Sequence, residues 1–485
     1  MSEKNQKHDS GANVIKAERQ INLGEAVLVF IMSIVVIGYP ALSKQFPIAM
    51  GILLALVLCC TYAMLALKIS WDSLFDSITK TIAEVLVGLL FCLFVGFISA
   101  SWIASGTIPF LFYWGLKLLN PDIFLFVAFL ITSFASFFTG QPWALLPSIG
   151  LAFMGIGTAL GVPAPLAAAA IVSGCFVGDV ASPINEVPVI ASVSAGTADV
   201  IGTIKSTLIP FIPGMIVGAV AYFFIGMNMT ISTAQVHTAD SLINSLAQGF
   251  NLTVLTLIPL VVIFALVFIK FPILPGVIIA SLIGMAEAVI LQGETWGGVT
   301  NMMWSGYVCS TGDQFLDGLL TRGGIMDFAG TIIMLLFAFS FAGVIKRMGM
   351  LERIMNSALK KVENSGFLVL YTSITTLIGV SFTGSANVSS LLNGSIYKDA
   401  YRKKGVHPEV LARTMSMNGA LWNAMLPWSA SGALCLSVLG VNNFEYTLFM
   451  IPFWTSFILN IVFAFMGKFT RKLTAEEMGA QADTA

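Results

Sequence analysis

Long apolar runs separated by short polar breaks make up most of this chain. A helix needs about 20 apolar residues to cross about 30 Å of hydrocarbon. The broken stretches 140–198 and 384–439 are expected to hold further membrane segments, some too short to span. The runs that predict spanning helices are Glu25–Leu42, Ile48–Leu67, Val85–Ala104, Ile123–Phe138, Thr207–Ile225, Leu252–Ile269, Pro275–Leu291, Ile325–Val344, Phe367–Phe382 and Tyr446–Gly467.

The second half of the chain repeats the first, at an offset that drifts only between 243 and 245 residues. An apolar duplication with polar, Gly and Pro breaks at matching places is typical of secondary transporters whose site lies between two repeats. Chance similarity of low-complexity segments is the alternative. The matched anchors are Glu84 with Asp327, Gly106 with Gly349, Thr139-Gly140 with Thr383-Gly384, Gly161-Val162 with Gly405-Val406, Ser173-Gly174 with Asn418-Gly419, and Pro183 with Pro427.

Basic residues in equivalent loops of the two repeats are distributed unequally, and basic short loops face the cytoplasm. The first repeat has only Lys117 in one such loop and no charge between Gly155 and Pro165. The repeats are therefore predicted to be inverted, with an even number of crossings and both termini cytoplasmic. The second-repeat loops carry Lys346, Arg347, Arg353, Lys360, Lys361, Lys398, Arg402, Lys403 and Lys404.

The predicted organisation follows from these repeats and from the polar stretches between them. The segment Trp71–Thr81 is short and amphipathic, so we expect it to lie along the cytoplasmic interface. The polar stretches Thr230–Asn251 and Gly293–Gly324 are predicted to be external loops. The divisions are a cytoplasmic tail (1–23), scaffold helices (24–82), a first inverted repeat (83–229), linker helices with external loops (230–324), a second inverted repeat (325–468) and a cytoplasmic tail (469–485).

Composition places the chain in a membrane and excludes several classes. Hydrophobic residues make up 57% of its 485 residues and charged residues 10%, with a mean hydropathy of +0.90. Soluble domains carry about 25% charged residues. The net charge of −1 does not suggest a nucleic-acid partner. The polar start, Met1–Asn22, has no signal-peptide core, so no cleaved signal is expected. The prediction is a multi-pass, all-α protein of the cell membrane, a polytopic bundle with broken helices.

Asp179 lies in an otherwise apolar stretch and is the strongest candidate site residue. An ionised carboxylate in a bilayer is costly, so it usually has a partner or a function. The following Ser182-Pro183 should unwind the helix, and freed carbonyls are tolerated only where protein or a cavity satisfies them. With Asn185 and Glu186, these oxygens predict a site for Na⁺ or a proton. The alternative is a structural carboxylate that caps a half-helix.

The matched Thr-Gly breaks after two apolar helices are the second candidate feature. Such a pair turns the chain and exposes backbone N–H groups at the start of the next half-helix, which favours an anion. A packing kink is the alternative for Thr139 and Thr383, and ordinary packing is the alternative for the tryptophans. The predicted substrate-binding residues are Thr139, Gln141, Trp143, Thr383, Ser385, Asn387, Asn418, Asn423 and Ser429, and Trp422 and Trp428 lie beside them.

The two halves are chemically unequal, because Asp179 aligns with Asn423 or Ala424, depending on the offset. The three histidines have no arrangement typical of a metal site or a catalytic triad, so an enzyme is not predicted. No cofactor is expected beyond the coupling ion, Na⁺ or H⁺, with Asp179 as the Na⁺ ligand. The expected partners are a small ion or small organic substrate and the lipid bilayer.

Several short runs give the chain a family resemblance. It resembles the NhaC family of Na⁺/H⁺ antiporters, which also includes proton/malate–sodium/lactate exchangers, from about Val85 to Gly467. The resemblance implies inverted repeats with re-entrant hairpins, a moving transport domain, a cation role for Asp179 and, as is common in the superfamily, a homodimer. It rests on Gly178-Asp-Val-Ala-Ser-Pro183, Thr139-Gly with Trp143, Gly349-Met-Leu-Glu352, Thr383-Gly384, Ala400-Tyr401, Arg413-Thr414 and Leu426-Pro-Trp428.

The chain departs from the family pattern mainly in its second half. Ser182-Pro-Ile-Asn-Glu-Val-Pro188 keeps the acid but lacks two expected threonines, and Thr383-Gly-Ser-Ala386 and Ser416-Met-Asn-Gly419 lack expected acids. The predicted function is a secondary antiporter that exchanges Na⁺ for H⁺ by alternating access. The alternative is Na⁺- or H⁺-coupled exchange of a small carboxylate or amino acid. A channel is disfavoured, because channels build selectivity from symmetric rings.

Overall fold

The computed structural model describes residues 18–43, 46–229, 233–359 and 364–474. Most of the two predicted tails, residues 1–17 and 475–485, and the basic residues Lys360 and Lys361 lie outside these ranges. The described residues form helices and two isolated antiparallel bridges, Tyr307 with Arg322 and Val406 with Lys472. The predicted all-α class is confirmed.

The described residues of the first half form eleven helices. A π-helical turn, Leu146–Gly150, joins the sixth to the seventh. Asn120 caps the fifth helix by accepting from the N–H of Asp122, and Pro121 occupies its first turn, where no N–H is needed. The helices are α1 (Leu23–Ser43), α2 (Ile48–Leu65), α3 (Trp71–Ala104), α4 (Thr107–Leu118), α5 (Pro121–Thr139), α6 (Pro142–Leu145), α7 (Leu151–Ala159), α8 (Ala164–Cys175), α9 (Val177–Ala181), α10 (Glu186–Ala195) and α11 (Val200–Met227).

The middle and second half contain the remaining helices. Two 3₁₀ turns, Val254–Leu257 and Ile325–Phe328, precede the thirteenth and seventeenth. These helices are α12 (Thr233–Gly249), α13 (Ile258–Phe268), α14 (Ile273–Leu291), α15 (Trp296–Ser305), α16 (Gln314–Leu320), α17 (Ala329–Arg347), α18 (Met350–Leu359), α19 (Ser365–Thr383), α20 (Ala386–Lys403), α21 (Pro408–Met425), α22 (Ala430–Leu439), α23 (Asn443–Thr447) and α24 (Ile451–Phe465).

The described residues include 10 helices long and apolar enough to cross a membrane, or up to 11 if one strongly bent pair counts as a span. This agrees with a multi-pass membrane protein. In two of these segments, Pro142–Ala159 and Ala164–Ala181, 83% of the residues are buried within the protein. In Leu23–Pro40 the share is 28%. The broken stretch of the first half therefore occupies the protein interior, away from the surface that would meet lipid.

Several predicted boundaries were wrong. Trp71–Thr81 is not a separate segment, because α3 runs unbroken from Trp71 to Ala104 and contains no proline. The predicted helix Leu252–Ile269 begins with a 3₁₀ turn and is bent by 94° from α12. Tyr446–Gly467 is divided between α23 and α24, the latter carrying Pro452 in its first turn. The predicted loops at 230–251 and 293–324 contain α12, α15 and α16.

Left-handed glycines recur at matching places in the two halves. Gly140 (φ 62°) and Gly384 (φ 63°) end α5 and α19, and Gly196 (φ 82°) and Gly440 (φ 70°) end α10 and α22. A non-glycine residue is strained at such dihedrals, so each glycine ends its helix at a fixed point. Both pairs are 244 residues apart, which favours that offset and aligns Asp179 with Asn423.

Candidate functional site

The chain unwinds after α9, as the sequence predicts. Ser182 has an extended backbone (φ −87°, ψ 131°), and Pro183 offers no N–H group. The chain resumes as α10, where Asn185 is the N-cap residue and its Oδ1 accepts from the N–H of Val187 at 2.8 Å. The break therefore places three polar side chains, those of Asp179, Ser182 and Asn185, within one short segment.

Asp179 is buried, with 5% of its surface exposed. Its Oδ1 accepts a hydrogen bond from Nδ2 of Asn185 at 2.6 Å, and the same Nδ2 donates to the carbonyl of Gly140 at 2.7 Å. A β-carbon on Gly140 would lie 2.9 Å from Oγ of Ser182. The break after α9 and the Thr139-Gly140 break therefore meet, joined by one amide.

The cluster keeps oxygen atoms available for a ligand. The hydroxyl of Ser182 is buried and has no hydrogen-bond partner among the described residues. The amide of Asn185 uses both Nδ2 hydrogens and its oxygen, so it orients the site without being free to bind. Carboxylate, hydroxyl and carbonyl oxygens are hard ligands, which suit a small hard cation better than a soft metal.

Glu186 does not belong to this buried cluster. Its side chain is exposed, and its Oε1 accepts from Nδ2 of Asn387 at 2.8 Å. Asn387 is on α20, so this bond links the break of the first half to the matched break of the second half.

The second half repeats the arrangement without a carboxylate. The N–H of Ala430 donates to the carbonyl of Gly384 at 3.1 Å, so the corresponding breaks also meet there. Ser429, which aligns with Asn185, donates its hydroxyl to the carbonyls of Asn423 and Leu426. In the second half, the amide of Asn423 thus takes the place that the carboxyl of Asp179 has in the first half.

Helix α21, which packs against α9, α10 and α20, carries buried amide atoms that have no hydrogen-bond partner among the described residues. Neither amide atom of Asn418 has a hydrogen-bond partner among the described residues, and the same holds for Oδ1 of Asn423. Nδ2 of Asn423 donates to Oγ of Ser431 at 3.0 Å. A buried polar group without a partner costs about 1–3 kcal/mol, so these atoms are candidates for binding water or a ligand.

The tryptophans at and beside the predicted substrate-binding positions make contacts outside the Asp179 cluster. Trp143 packs edge-to-face on Phe91, at 5.3 Å between ring centroids. The indole N–H groups of Trp422 and Trp428 both donate to Ser381, at 2.9 Å to its hydroxyl and 2.8 Å to its carbonyl. These contacts agree with the packing alternative for the tryptophans, and their role in substrate binding stays a prediction.

The Thr-Gly turns themselves are held by local hydrogen bonds. Thr139 and Thr383 donate to carbonyls four residues earlier, both at 2.8 Å, and Ser385 caps α20. One side of the first turn opens on a small pocket against α13. The pocket is lined by Thr139, Gln141, Ala144, Leu145, Ser148, Ile263, Phe264 and Val267.

Sequence reasoning missed two buried charged residues as site candidates. Arg413, on α21, is fully buried, and its guanidinium donates to Asn460 Oδ1 at 3.0 Å and to the carbonyl of Phe469 at 2.8 Å. Glu287, on α14, is buried with neither carboxylate oxygen hydrogen-bonded among the described residues. Glu287 is a lone acid in an apolar run, which is the signal that identified Asp179.

Comparison with known proteins assigns the chain to a family. The model of the Na⁺/H⁺ antiporter family matches residues 187–468. The chain is 32% identical to the malate-2H⁺/Na⁺-lactate antiporter of Bacillus subtilis, over 89% of this chain and 97% of that protein. It is 30% identical to the Na⁺/H⁺ antiporter NhaC of Alkalihalophilus pseudofirmus, over 83% of this chain and 86% of that protein.

Two further comparisons cover even more of the chain. The arginine/ornithine antiporter ArcD of Halobacterium salinarum is 30% identical over 96% of this chain and 97% of that protein. The solved structure of Neisseria gonorrhoeae MtrF aligns over 91% of this chain and 95% of that chain, at 14% identity and a TM-score of 0.38. The family match and the extent of the antiporter similarities establish that the chain belongs to the Na⁺/H⁺ antiporter family.

Proposed function

We propose that this protein exchanges Na⁺ for H⁺ across the cytoplasmic membrane, with Asp179 carrying one ion at a time. The observation that supports this is the burial of the Asp179 carboxylate where two helix breaks meet, with the neutral amide of Asn185 as its one hydrogen-bond partner among the described residues. A buried carboxylate without a cation is unfavourable, so a proton or a metal cation must neutralise it.

Competition for one carboxylate is sufficient to couple the two ions. A proton on Asp179 removes the charge that attracts Na⁺, and bound Na⁺ disfavours protonation. Ser182 and the backbone carbonyls of the break supply further oxygen ligands for Na⁺ but do not take up a proton. The site therefore crosses the membrane loaded with one ion or the other, which gives exchange.

The architecture that we propose for this cycle is a pair of inverted repeats, residues 83–229 and 325–468, with re-entrant hairpins. The matched left-handed glycines and the unequal basic loops support it. Both termini then face the cytoplasm. One bundle moves against the scaffold in an elevator-like step to alternate access to the site, and a homodimer is the proposed assembly.

A second candidate function is coupled exchange of a small carboxylate or amino acid. The amide of Asn418 and Oδ1 of Asn423, which have no hydrogen-bond partner among the described residues, favour it, because amides can hydrogen-bond both the carboxylate and the amino group of a solute. The similarity to antiporters of malate and lactate and of arginine and ornithine extends over nearly the whole chain. Asp179 then carries the coupling ion.

Proteoliposomes that contain a fluorescent pH dye test both candidates. A Na⁺ pulse should move protons without added solute, and Asp179→Asn should abolish the signal. Asp122→Asn, the same change at an exposed position, should keep it. Proton movement that depends on malate, lactate or an amino acid would select the second candidate. Full coupled exchange by the Asp179→Asn protein would reject the assignment of the site.

A further inference from the structure

Glu287 is a buried carboxylic acid outside both repeats. It lies in the last two turns of α14, and 7% of its surface is exposed. Neither Oε1 nor Oε2 has a hydrogen-bond partner among the described residues. Acids at such positions in membrane helices are rare and usually have a function.

The neighbouring contacts place Glu287 at the interface of α14 with α3. A β-carbon on Gly284, one turn earlier, would lie 3.3 Å from Cδ1 of Trp102. Gln292, five residues later, donates from Nε2 to the carbonyl of Ser105 at 2.9 Å. Glu287 lies between these contacts, on the stripe of α14 that faces α3.

The same interface contains a donor without an acceptor. Trp102 is fully buried, and its indole N–H has no hydrogen-bond partner among the described residues. Cδ1 is bonded to Nε1, so this N–H lies at the α3–α14 contact. The nearby hydroxyls are used within their own segments: Ser101 donates to the carbonyl of Ile98, and Ser105 bonds with Thr107.

No cation faces this carboxyl from the described elements that pack on α14. These are α3, α13, α15 and the 3₁₀ turn Val254–Leu257, and the last three contain no titratable side chain. In α3 the only titratable group after Glu84 is the thiol of Cys92. The charged residues of α3 all lie before its middle, and they are Asp72, Asp76, Lys80 and Glu84.

Titratable groups beyond the two ends of α14 complete the surroundings of Glu287. The N–H of Glu294 donates to the carbonyl of Ala288 at 3.1 Å, which brings a like charge near this end of α14. Tyr307 packs on the hydrophobic cluster that includes Ala100 and Ala104 of α3 and Met285 and Ala288 of α14. Burial raises the pKa of its phenol, which stays neutral. Lys270, in the turn before α14, lies at the opposite end of the helix.

We propose that Glu287 is a second proton-binding site, separate from Asp179, that holds its proton while α3 and α14 are packed together. An ionised carboxylate in this place would have no cation beside it and no hydrogen bond, because even the indole N–H of Trp102 does not bond to it. The protonated acid carries no charge, so its burial costs much less, and its O–H remains available. Proton release requires water to enter between α3 and α14. Whether Glu287 holds its proton therefore depends on whether these two helices are packed together.

Infrared difference spectra of the purified full-length protein, recorded between mildly acidic and alkaline pH, test this site without any need for transport. Protonated Asp179 also absorbs in the C=O stretching range of carboxylic acids, so the band of Glu287 is the one that Asp179→Asn retains, and it should be lost in Glu287→Gln. It should be kept in Glu294→Gln, the same change in the adjacent loop. An unchanged band in a folded Glu287→Gln protein would overturn the proposal.

Asp179→Asn provides a measurement that does not depend on the folding of the Glu287 variant. The Glu287 band must persist in this protein, because its carboxyl is elsewhere. Absence of any protonated-acid band in Asp179→Asn would reject a second site. If Asp179→Asn loses Na⁺/H⁺ exchange but keeps the band, the result supports both the role of Asp179 in exchange and a separate proton site at Glu287.

Discussion

Nδ2 of Asn185 donates to Oδ1 of Asp179 at 2.6 Å and at the same time to the carbonyl of Gly140. One side chain thus joins the buried acid to the break of a different helix. Any movement that separates the two breaks must also release the carboxylate from its amide donor. The charge state of Asp179 and the packing of the breaks are therefore coupled.

Asn185→Ala should lower the free energy of unfolding by about 1–3 kcal/mol, because it removes an N-cap and leaves the carboxyl of Asp179 without its donor. Thermal unfolding in detergent measures the loss. Asn120→Ala is the control, because Asn120 also caps a helix, through the backbone N–H of Asp122, but donates no hydrogen bond to a carboxylate among the described residues. Equal losses in the two variants would mean that the bond to Asp179 contributes nothing.

Gly140→Ala should impair Na⁺ binding as well as stability. A left-handed alanine costs about 1–2 kcal/mol, and its β-carbon would also lie 2.9 Å from Oγ of Ser182. Gly349→Ala is the control, because Gly349 (φ 66°) has nothing within 4 Å of a β-carbon. Na⁺-dependent thermal stabilisation should fall only in Gly140→Ala; a similar fall in both variants would contradict the contact with Ser182.

Asn418→Leu should leave the free energy of unfolding unchanged or raise it, yet reduce exchange at least tenfold. The amide of Asn418 has no partner among the described residues to lose, and removing a buried unsatisfied group is favourable. Asn393→Leu is the contrast, because the amide of Asn393 bonds with Thr375 and Ser389. Strong destabilisation by Asn418→Leu would show that its amide is satisfied within the protein.

Arg471→Ala should destabilise the start of α21. Glu409 is 4% exposed, and its Oε1 pairs with Nη1 of Arg471 at 2.8 Å. Because Arg471 itself is half exposed, solvent screens the pair, and the expected loss is about 1–3 kcal/mol. Lys80→Ala breaks the exposed pair with Asp76 and should cost at most about 0.5 kcal/mol. Equal thermal shifts would contradict this difference.

The segment around Asp317 should lose local stability in acid. Hydrogen bonds, first from the hydroxyl of Thr311, lower the pKa of Asp317 below its ordinary 3.8. A lowered folded pKa contributes stability above the ordinary value, and this contribution is lost as the pH falls through the folded pKa. Hydrogen exchange over residues 309–318, corrected for intrinsic rates, should accelerate below about pH 4. Asp317→Asn should remove this pH dependence.

Much of this fold could be predicted from hydropathy and local break signals. The span Ile48–Leu65 begins where predicted and ends within two residues of the prediction, because membrane helices depend on the apolar character of their own sequence. The unwinding at Ser182-Pro183 was likewise predictable, because proline acts on the helix that contains it. The same kind of local evidence identified the repeated Thr-Gly breaks, the acid Asp179 and the family resemblance.

The sequence alone thus determined the class of protein, most of the spans and the acid at the break, since each is encoded within one segment. Only the tertiary structure decided that Asn185 bonds Asp179 to Gly140, that Asn423 stands in the place of Asp179, and that Glu287 is buried without a hydrogen-bond partner among the described residues. These relationships join residues on different elements. Hydropathy along the chain indicates which side chains avoid water. The packing of separate helices decides which partners each polar side chain meets.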